Sequence, residues 1–168
     1  VLIEAFNLLI DAPVELAIYG NTNGNPAIKQ YADALRAANR NPRVTFQGPF
    51  ANHDIGSVLA PASIVIVPSI LYENCPMVIQ EAHYAGRPVV ASSIGGMAEL
   101  VQDGVNGLTF RVRDAAHLAE QIRLLAYDRD RLLALQRAIV PPESMESVAA
   151  AVERVYQRLL DARAARTG

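Results

Sequence analysis

The sequence predicts an α/β fold: a Rossmann-like, doubly wound parallel sheet with helices on both faces. Three observations predict it. Short β-branched runs alternate along the chain with longer segments of helical period. The run Ile64-Val65-Ile66-Val67 is continuously apolar, as a central parallel strand covered on both faces must be. The 168 residues are 51% hydrophobic, enough for one domain with a sizeable core.

In chain order, residues 1–13 (VLIEAFNLLIDAP) form an amphipathic helix with no strand ahead of it. An alternating fold normally places a strand before such a helix. The expectation is therefore a fragment, one C-terminal domain over residues 1–168, whose first strand is missing. Strand 15–20 (ELAIYG) leads to helix 26–39, and strand 43–48 (RVTFQG) to helix 53–60. Strand 63–69 (SIVIVPS) leads to helix 76–85, where Pro76 suits the first helical position because its missing N–H would be unpaired there. Gly86 suits the left-handed position after that helix, with Pro88 as a stop. On a helical wheel Val78, Ala82 and Ala85 form its core stripe, and Glu81 stands at the rim of that stripe. Strand 88–92 (PVVAS), helix 97–102, strand 107–110 (GLTF) and helix 114–126 continue the alternation. Helices 129–139 and 144–164 close the chain. The segment 140–144 (VPPES) is the one clear break, and Ser144 suits the N-cap of the last helix.

Charge and composition exclude several function classes. A formal net charge of −2 leaves no electrostatic footprint for nucleic acid or anionic lipid. Basic residues from Arg154 to Arg166 alternate with Glu153 and Asp161 and read as a solvated helix face. No apolar run reaches the ~18 residues of a membrane span, and no basic n-region of a signal peptide opens the sequence. The single cysteine, Cys75, makes no internal disulfide and suits a reducing compartment.

In an open parallel sheet, ligands sit outside the carboxyl ends of the strands. That rule selects the loops 20–25, 48–53, 68–76, 92–97 and the turn after Phe110. Loop 68–76 places Glu73 just before a helix N-terminus whose free N–H groups suit an anion. Glu73 reads either as a ligand contact or as an acid complementing the helix dipole. Glu81 reads either as a ligand contact or as a surface pair. Gly95 and Gly96 allow close backbone approach by a ligand, or a plain tight turn. Residues 20–25 (GNTNGN) are not a dinucleotide fingerprint. His53, His83 and His117 lack metal-ligand spacing and read as solvent-facing. Ser69, Ser92 and Ser93 lack a nucleophile motif, and Cys75 reads as a small packing residue. No metal and no cofactor are expected.

Taken together, residues 68–110 resemble a known signature. Its marks are Pro-Ser at a strand end, Glu73 and Glu81 eight apart, Glu-Ala followed by Gly-Arg-Pro-Val, then Gly-Gly-Met-Ala-Glu and the DGVNGL turn. The string resembles the C-terminal, nucleotide-sugar-binding domain of retaining GT-B glycosyltransferases of the group 1, or family 4, class. LAIYG and VTFQG upstream also fit. The resemblance implies that Glu73 contacts the donor sugar at the reacting centre and Glu81 the ribose hydroxyls. The N–H groups of Met77 and Val78 would hold a phosphate, and Phe50 and Asn52 would flank the base. Asn74, Cys75, Gly95 and Gly96 complete the implied site. The donor is a nucleotide-diphosphate sugar whose base and sugar no pattern here separates, and the partner is an N-terminal acceptor-binding domain outside this chain. A cytoplasmic location is implied, with contact at the inner membrane face through the missing half left open. Two departures stand out. Many members carry Gly where this chain has Pro76, and use an N–H that proline lacks. The basic pair that neutralises the diphosphate would lie ahead of Val1, so the fragment alone is expected to be inactive. A sugar-nucleotide epimerase of the same architecture and a non-catalytic nucleotide-binding or interaction module are the alternatives. The paired glutamates argue against both.

Overall fold

The computed structural model describes residues 1–22 and 24–167. Asn23, in the predicted loop 20–25, Gly168 and the side chains of Ala164, Arg166 and Thr167 lie outside the described residues. The elements run α1 (Leu2–Asn7), β1 (Leu16–Tyr19), α2 (Pro26–Ala38), β2 (Val44–Gly48), a 3-10 turn (Asn52–Asp54), α3 (Ile55–Leu59), β3 (Val65–Val67), α4 (Met77–Tyr84), β4 (Val89–Ser92), α5 (Gly95–Leu100), β5 (Gly107–Phe110), α6 (Ala115–Tyr127), α7 (Arg129–Ala138) and α8 (Met145–Thr167). All strand pairs are parallel, in two sheets ordered β1-β2 and β3-β4-β5.

Strand β4 explains why helices cover both faces. Val89, Val90 and Ala91 are all 0% exposed. Successive strand side chains point to opposite faces, so Val90 joins one core with α1 and α6, through Phe6, Leu118 and Ile122. Val89 and Ala91 join a second core with α4 and α5, through Ile79, Ala82 and Met97. Strand β3 differs from its expectation as a central strand. It is the edge of its sheet, and Val65 and Ile66 are only half-buried, because none of the described residues pairs with its free side.

Helix α1 is shorter than predicted. Pro13 disfavours helical geometry at Ala12, yet Leu9 and Ala12 remain fully buried in the turns that follow. The carbonyls left by the helix end are satisfied from outside. Arg43 donates to Ile10 at 2.6 Å, and Arg123 donates to Leu8 at 2.8 Å while holding Asp11 with both terminal nitrogens. The DGVNGL motif is a fold device. Asp103 accepts the amide of Thr109 at 2.7 Å, and the Asn106 side chain bridges the amide of Gln102 and the carbonyl of Leu100. Ser144 accepts from the Ser147 amide at 3.2 Å, as an N-cap should.

Two readings on the helices are corrected. In α4 the buried stripe is Ile79, Ala82 and His83, while Val78 is 37% exposed. The helix is apolar on more than one face, and the face carrying the larger Ile79 packs on the sheet. With 3.6 residues per turn, Glu81 then stands roughly 150° from the stripe centre, nearly opposite it rather than at its rim. The histidines also differ from expectation. His53 is exposed, but His83 is 6% exposed and its ring bonds the backbone of Asn106. His117 is half-buried and accepts the Arg111 amide at 3.0 Å.

Candidate functional site

The loop 68–76 leaves the carboxyl end of β3 and meets the N-terminus of α5, which follows β4. The two are in direct contact. The Gly96 amide donates to the Glu73 carbonyl at 2.7 Å. A Cβ on Gly96 would lie 2.0 Å from the Asn74 carbonyl oxygen, and one on Gly95 would lie 3.0 Å from that of Glu73. Gly95 also sits at φ +54°, a conformation that favours glycine. What approaches the glycine pair is therefore the backbone of the Glu73 loop. The pair fixes where Glu73 emerges, half-buried, beside exposed Asn74.

Helix α4 begins at Met77, so Pro76 is its N-cap rather than its first helical residue. Proline offers no side-chain cap. The Ile79 amide turns back onto the Pro76 carbonyl at 3.0 Å. The helix itself supplies no acceptor for the amides of Met77 and Val78. Both residues are exposed at this open first turn. Cys75 is exposed and its sulfur accepts from Gln80 at 2.7 Å, which ties the loop to the helix. At the other end the Arg87 amide reaches Ala82 and the Gly86 amide reaches His83. That is a Schellman stop with Gly86 at φ +68°. Glu81 is half-buried, three residues from Val78 and on the same side of the helix.

A cavity of about 1060 Å³ reaches this region, with Tyr19, Phe50 and Val78 in its wall. Phe50 and the α4 first turn thus meet across one cavity. Its wall includes neither Glu73 nor Glu81. Asn52 lies exposed in the 3-10 turn beyond Phe50. Tyr19 carries no motif, and its one sequence signal is an aromatic residue at a strand end before Gly20. Its ring stands edge-on to Phe50, centroids 5.6 Å apart. Among the described residues no group of three His, Cys, Asp or Glu side chains converges to hold a metal ion.

Residues 1–128 match the family model described as "Glycosyl transferases group 1". The chain belongs to the group 1 glycosyl transferases. It is 31% identical over 170 aligned residues to a D-inositol 3-phosphate glycosyltransferase of Xylanimonas cellulosilytica, covering 99% of this chain and 40% of the relative. It is 32% identical over 127 residues to the enzyme of that name from Corynebacterium kroppenstedtii, covering 74% of this chain and 28% of that one. The glycosyl transferase chain thus spans well under half the length of these relatives. Among solved structures, HepE of Anabaena in complex with UDP-glucose superposes with a TM-score of 0.71 at 26% identity, over 98% of this chain and 44% of its own. A glycosyltransferase from Rickettsia africae shares the fold with a TM-score of 0.79 at 21% identity, over 95% of this chain and 43% of that one. The family expected from residues 68–110 is the family found, and the Rossmann-like half of a GT-B fold is the fold found.

Proposed function

We propose that this chain is the donor-binding half of a two-domain glycosyltransferase. It binds a nucleotide-diphosphate sugar, and the sugar passes to an acceptor with retention of configuration. The observation that carries the reading is the open first turn of α4, with Glu73 just before it and Glu81 one turn in, in a chain of this family. The UDP-glucose complex of HepE supports the class of donor.

The roles follow from group chemistry. The amides of Met77 and Val78 at the positive end of α4 hold a phosphate. Carboxylates accept hydrogen bonds and cannot donate them, so Glu73 and Glu81 suit sugar hydroxyls. Glu73 takes the donor sugar beside the reacting centre, and Glu81 takes the ribose. Phe50, with Tyr19 edge-on behind it, offers an apolar surface to the base, and Asn52 offers an amide at its edge. Asn74 and Cys75 carry the loop past the sugar. Gly95 and Gly96 act through Glu73 by letting its loop pack closely. Pro76 brings no N–H to the sugar. No metal or cofactor takes part in this reading.

Retention places departing nucleotide and incoming acceptor on the same face of the sugar. A carboxylate near the anomeric carbon stabilises positive charge that develops as the phosphate leaves, which is preorganised electrostatic catalysis. A facing acceptor domain closes the cleft, so the 168 residues alone are inactive. The test uses the full-length protein with a panel of nucleotide sugars. Release of nucleoside diphosphate is followed, and NMR reads the anomeric configuration of the product. Donor-dependent release with a retained anomer is expected. Inversion rejects the mechanism, and failure to bind any nucleotide sugar rejects the reading.

A further inference from the structure

Tyr72 is 83% exposed, the most exposed of the six tyrosines. Tyr31, Tyr84, Tyr127 and Tyr156 lie on helix surfaces and Tyr19 at the end of β1. Tyr72 alone stands in a loop, directly before Glu73 at the carboxyl ends of the strands. Its position is held from two sides. A Cβ added to Gly95 would lie 3.4 Å from Tyr72 Cδ1, so one edge of the ring rests against that glycine. The next residue is fixed by the next glycine, through the 2.7 Å bond from the Gly96 amide to the Glu73 carbonyl. Lower in the loop, the Leu71 amide donates to Ser69 Oγ at 3.3 Å. Among the described residues the Tyr72 hydroxyl has no hydrogen-bond partner and the ring no aromatic neighbour. The ring thus keeps a broad apolar surface in water. One glycine pair seats both an exposed aromatic ring and the half-buried carboxylate beside it.

We propose that Tyr72 is a sugar-binding residue: the pyranose of the donor lies with one C–H face on the phenol ring and an edge hydroxyl on Glu73. The inference rests on the donor reading, since it takes Glu73 to stand at the donor sugar. The pairing of groups is what a sugar requires. A pyranose carries hydroxyls around its edge and C–H bonds on its faces. A carboxylate accepts from the hydroxyls. The negative face of an aromatic ring attracts the slightly positive C–H hydrogens and covers the apolar face. The nucleotide base is a poorer occupant for this ring. Phe50 already faces the cavity beside α4, and Tyr72 is not in that wall. With no partner for its hydroxyl, Tyr72 acts through its ring face. Phenylalanine should therefore replace it, and leucine, which keeps apolar bulk without the face, should not. The ligand class is a nucleotide sugar whose transferred unit is a pyranose with one unobstructed C–H face.

The test is calorimetric titration of the full-length protein, without acceptor, with two probes. One is the nucleotide sugar that the protein turns over in the donor panel, and the other is its nucleoside diphosphate. Tyr72→Leu should weaken the nucleotide sugar by about threefold to tenfold, the scale of one aromatic face. It should leave the nucleoside diphosphate within about twofold of wild type, and Tyr72→Phe should leave both probes within about twofold. In the wild-type complex, NOEs should join the Tyr72 ring protons to C–H protons on one face of the sugar, a readout that needs no variant. Four results overturn the proposal. Wild-type affinity for the nucleotide sugar in Tyr72→Leu shows that no sugar lies on the ring. Equal losses for both probes in that variant assign the effect to the nucleotide or to the loop. A loss in Tyr72→Phe matching that in Tyr72→Leu assigns it to the hydroxyl. NOEs from the ring to a facing domain and none to the sugar make Tyr72 a domain contact. A wild-type protein that binds neither probe rejects the donor reading itself, before any Tyr72 variant is compared.

Discussion

Gly96→Ala tests whether the glycine pair positions Glu73. Gly96 has no left-handed φ, so the substitution acts through contact alone. The new Cβ lies 2.0 Å from the Asn74 carbonyl oxygen, 2.6 Å from its carbon and 2.8 Å from the Glu73 oxygen. Ordinary contact begins near 3.4 Å, so the backbone of Asn74 must retreat by about 1.4 Å. Overpacking of this kind costs about 1–3 kcal/mol. Stretching the 2.7 Å bond from the Gly96 amide to Glu73 adds about 1 kcal/mol. Urea unfolding of the full-length variant should show a loss of about 2–4 kcal/mol. A reacting group displaced by ~1 Å loses on the order of 10²-fold in rate, so kcat should fall by that much in a donor-turnover assay. Gly86→Ala is the control. Gly86 sits at φ +68° with nothing within 4 Å of the added Cβ, so it costs about 1–2 kcal/mol of strain and moves no part of the site. Its kcat should stay within about twofold of wild type at a temperature where both variants are folded. Wild-type stability and turnover in Gly96→Ala would refute the contact argument. Equal losses of kcat in both variants would refute the link to Glu73.

Glu73→Gln should lower kcat by ~10²-fold or more with unfolding unchanged, the scale of one preorganised electrostatic contact. Wild-type kcat would return Glu73 to a helix-terminus acid. Glu81→Ala should raise donor KM more than it lowers kcat, because ribose contacts act alike in ground and transition states. An unchanged donor KM would remove Glu81 from the site. Burial holds the His83 pKa below 6.5. The unfolded chain therefore takes up the proton first, so the stability contribution is full above about pH 6.5 and is lost as pH falls through the depressed folded value. Chemical denaturation at pH 8 and pH 5.5 should show this loss, and His83→Gln should reduce it. An equal pH dependence in His83→Gln would assign the loss to other groups.

Alternation of period was a sound guide to where elements lie. Strand 107–110 has the predicted bounds, and α6 is displaced by one residue from 114–126. Phase was harder. Helix α4 carries Met77, Val78, Ile79 and Ala82, so its apolar residues span more than one face. Periodicity alone does not say which of those faces meets the sheet. The buried His83 completes the true stripe, and a titratable residue is the last kind a pattern argument places in a core. Residues 64–67 show the same limit from the strand side. A continuous apolar run signals cover on both faces, but it carries no information about whether a neighbour pairs with each edge.

The glycines at 95 and 96 show where local reading stops at the site. A glycine pair before a helix suits a ligand, a turn or a neighbouring backbone equally, and nothing within a few residues distinguishes them. Their partner, Glu73, is 22 residues away along the chain. It becomes a neighbour only because β3 pairs in parallel with β4, Val65 opposite Val89, which brings the loops at both carboxyl ends together. The acidic motif and the glycine motif are thus two sides of one contact. The glycines leave the space that Glu73 and Asn74 occupy, and the carboxylate emerges from the backbone so held. A substitution that fills that space therefore displaces Glu73, the carboxylate proposed for the reacting centre, without itself touching a ligand. For the same reason the first turn of α4, held by Pro76 and by the bond from Gln80 to Cys75, moves with that loop. Under the proposed function, the amides assigned to phosphate and the carboxylate assigned to sugar are then a single preorganised unit rather than two independent contacts.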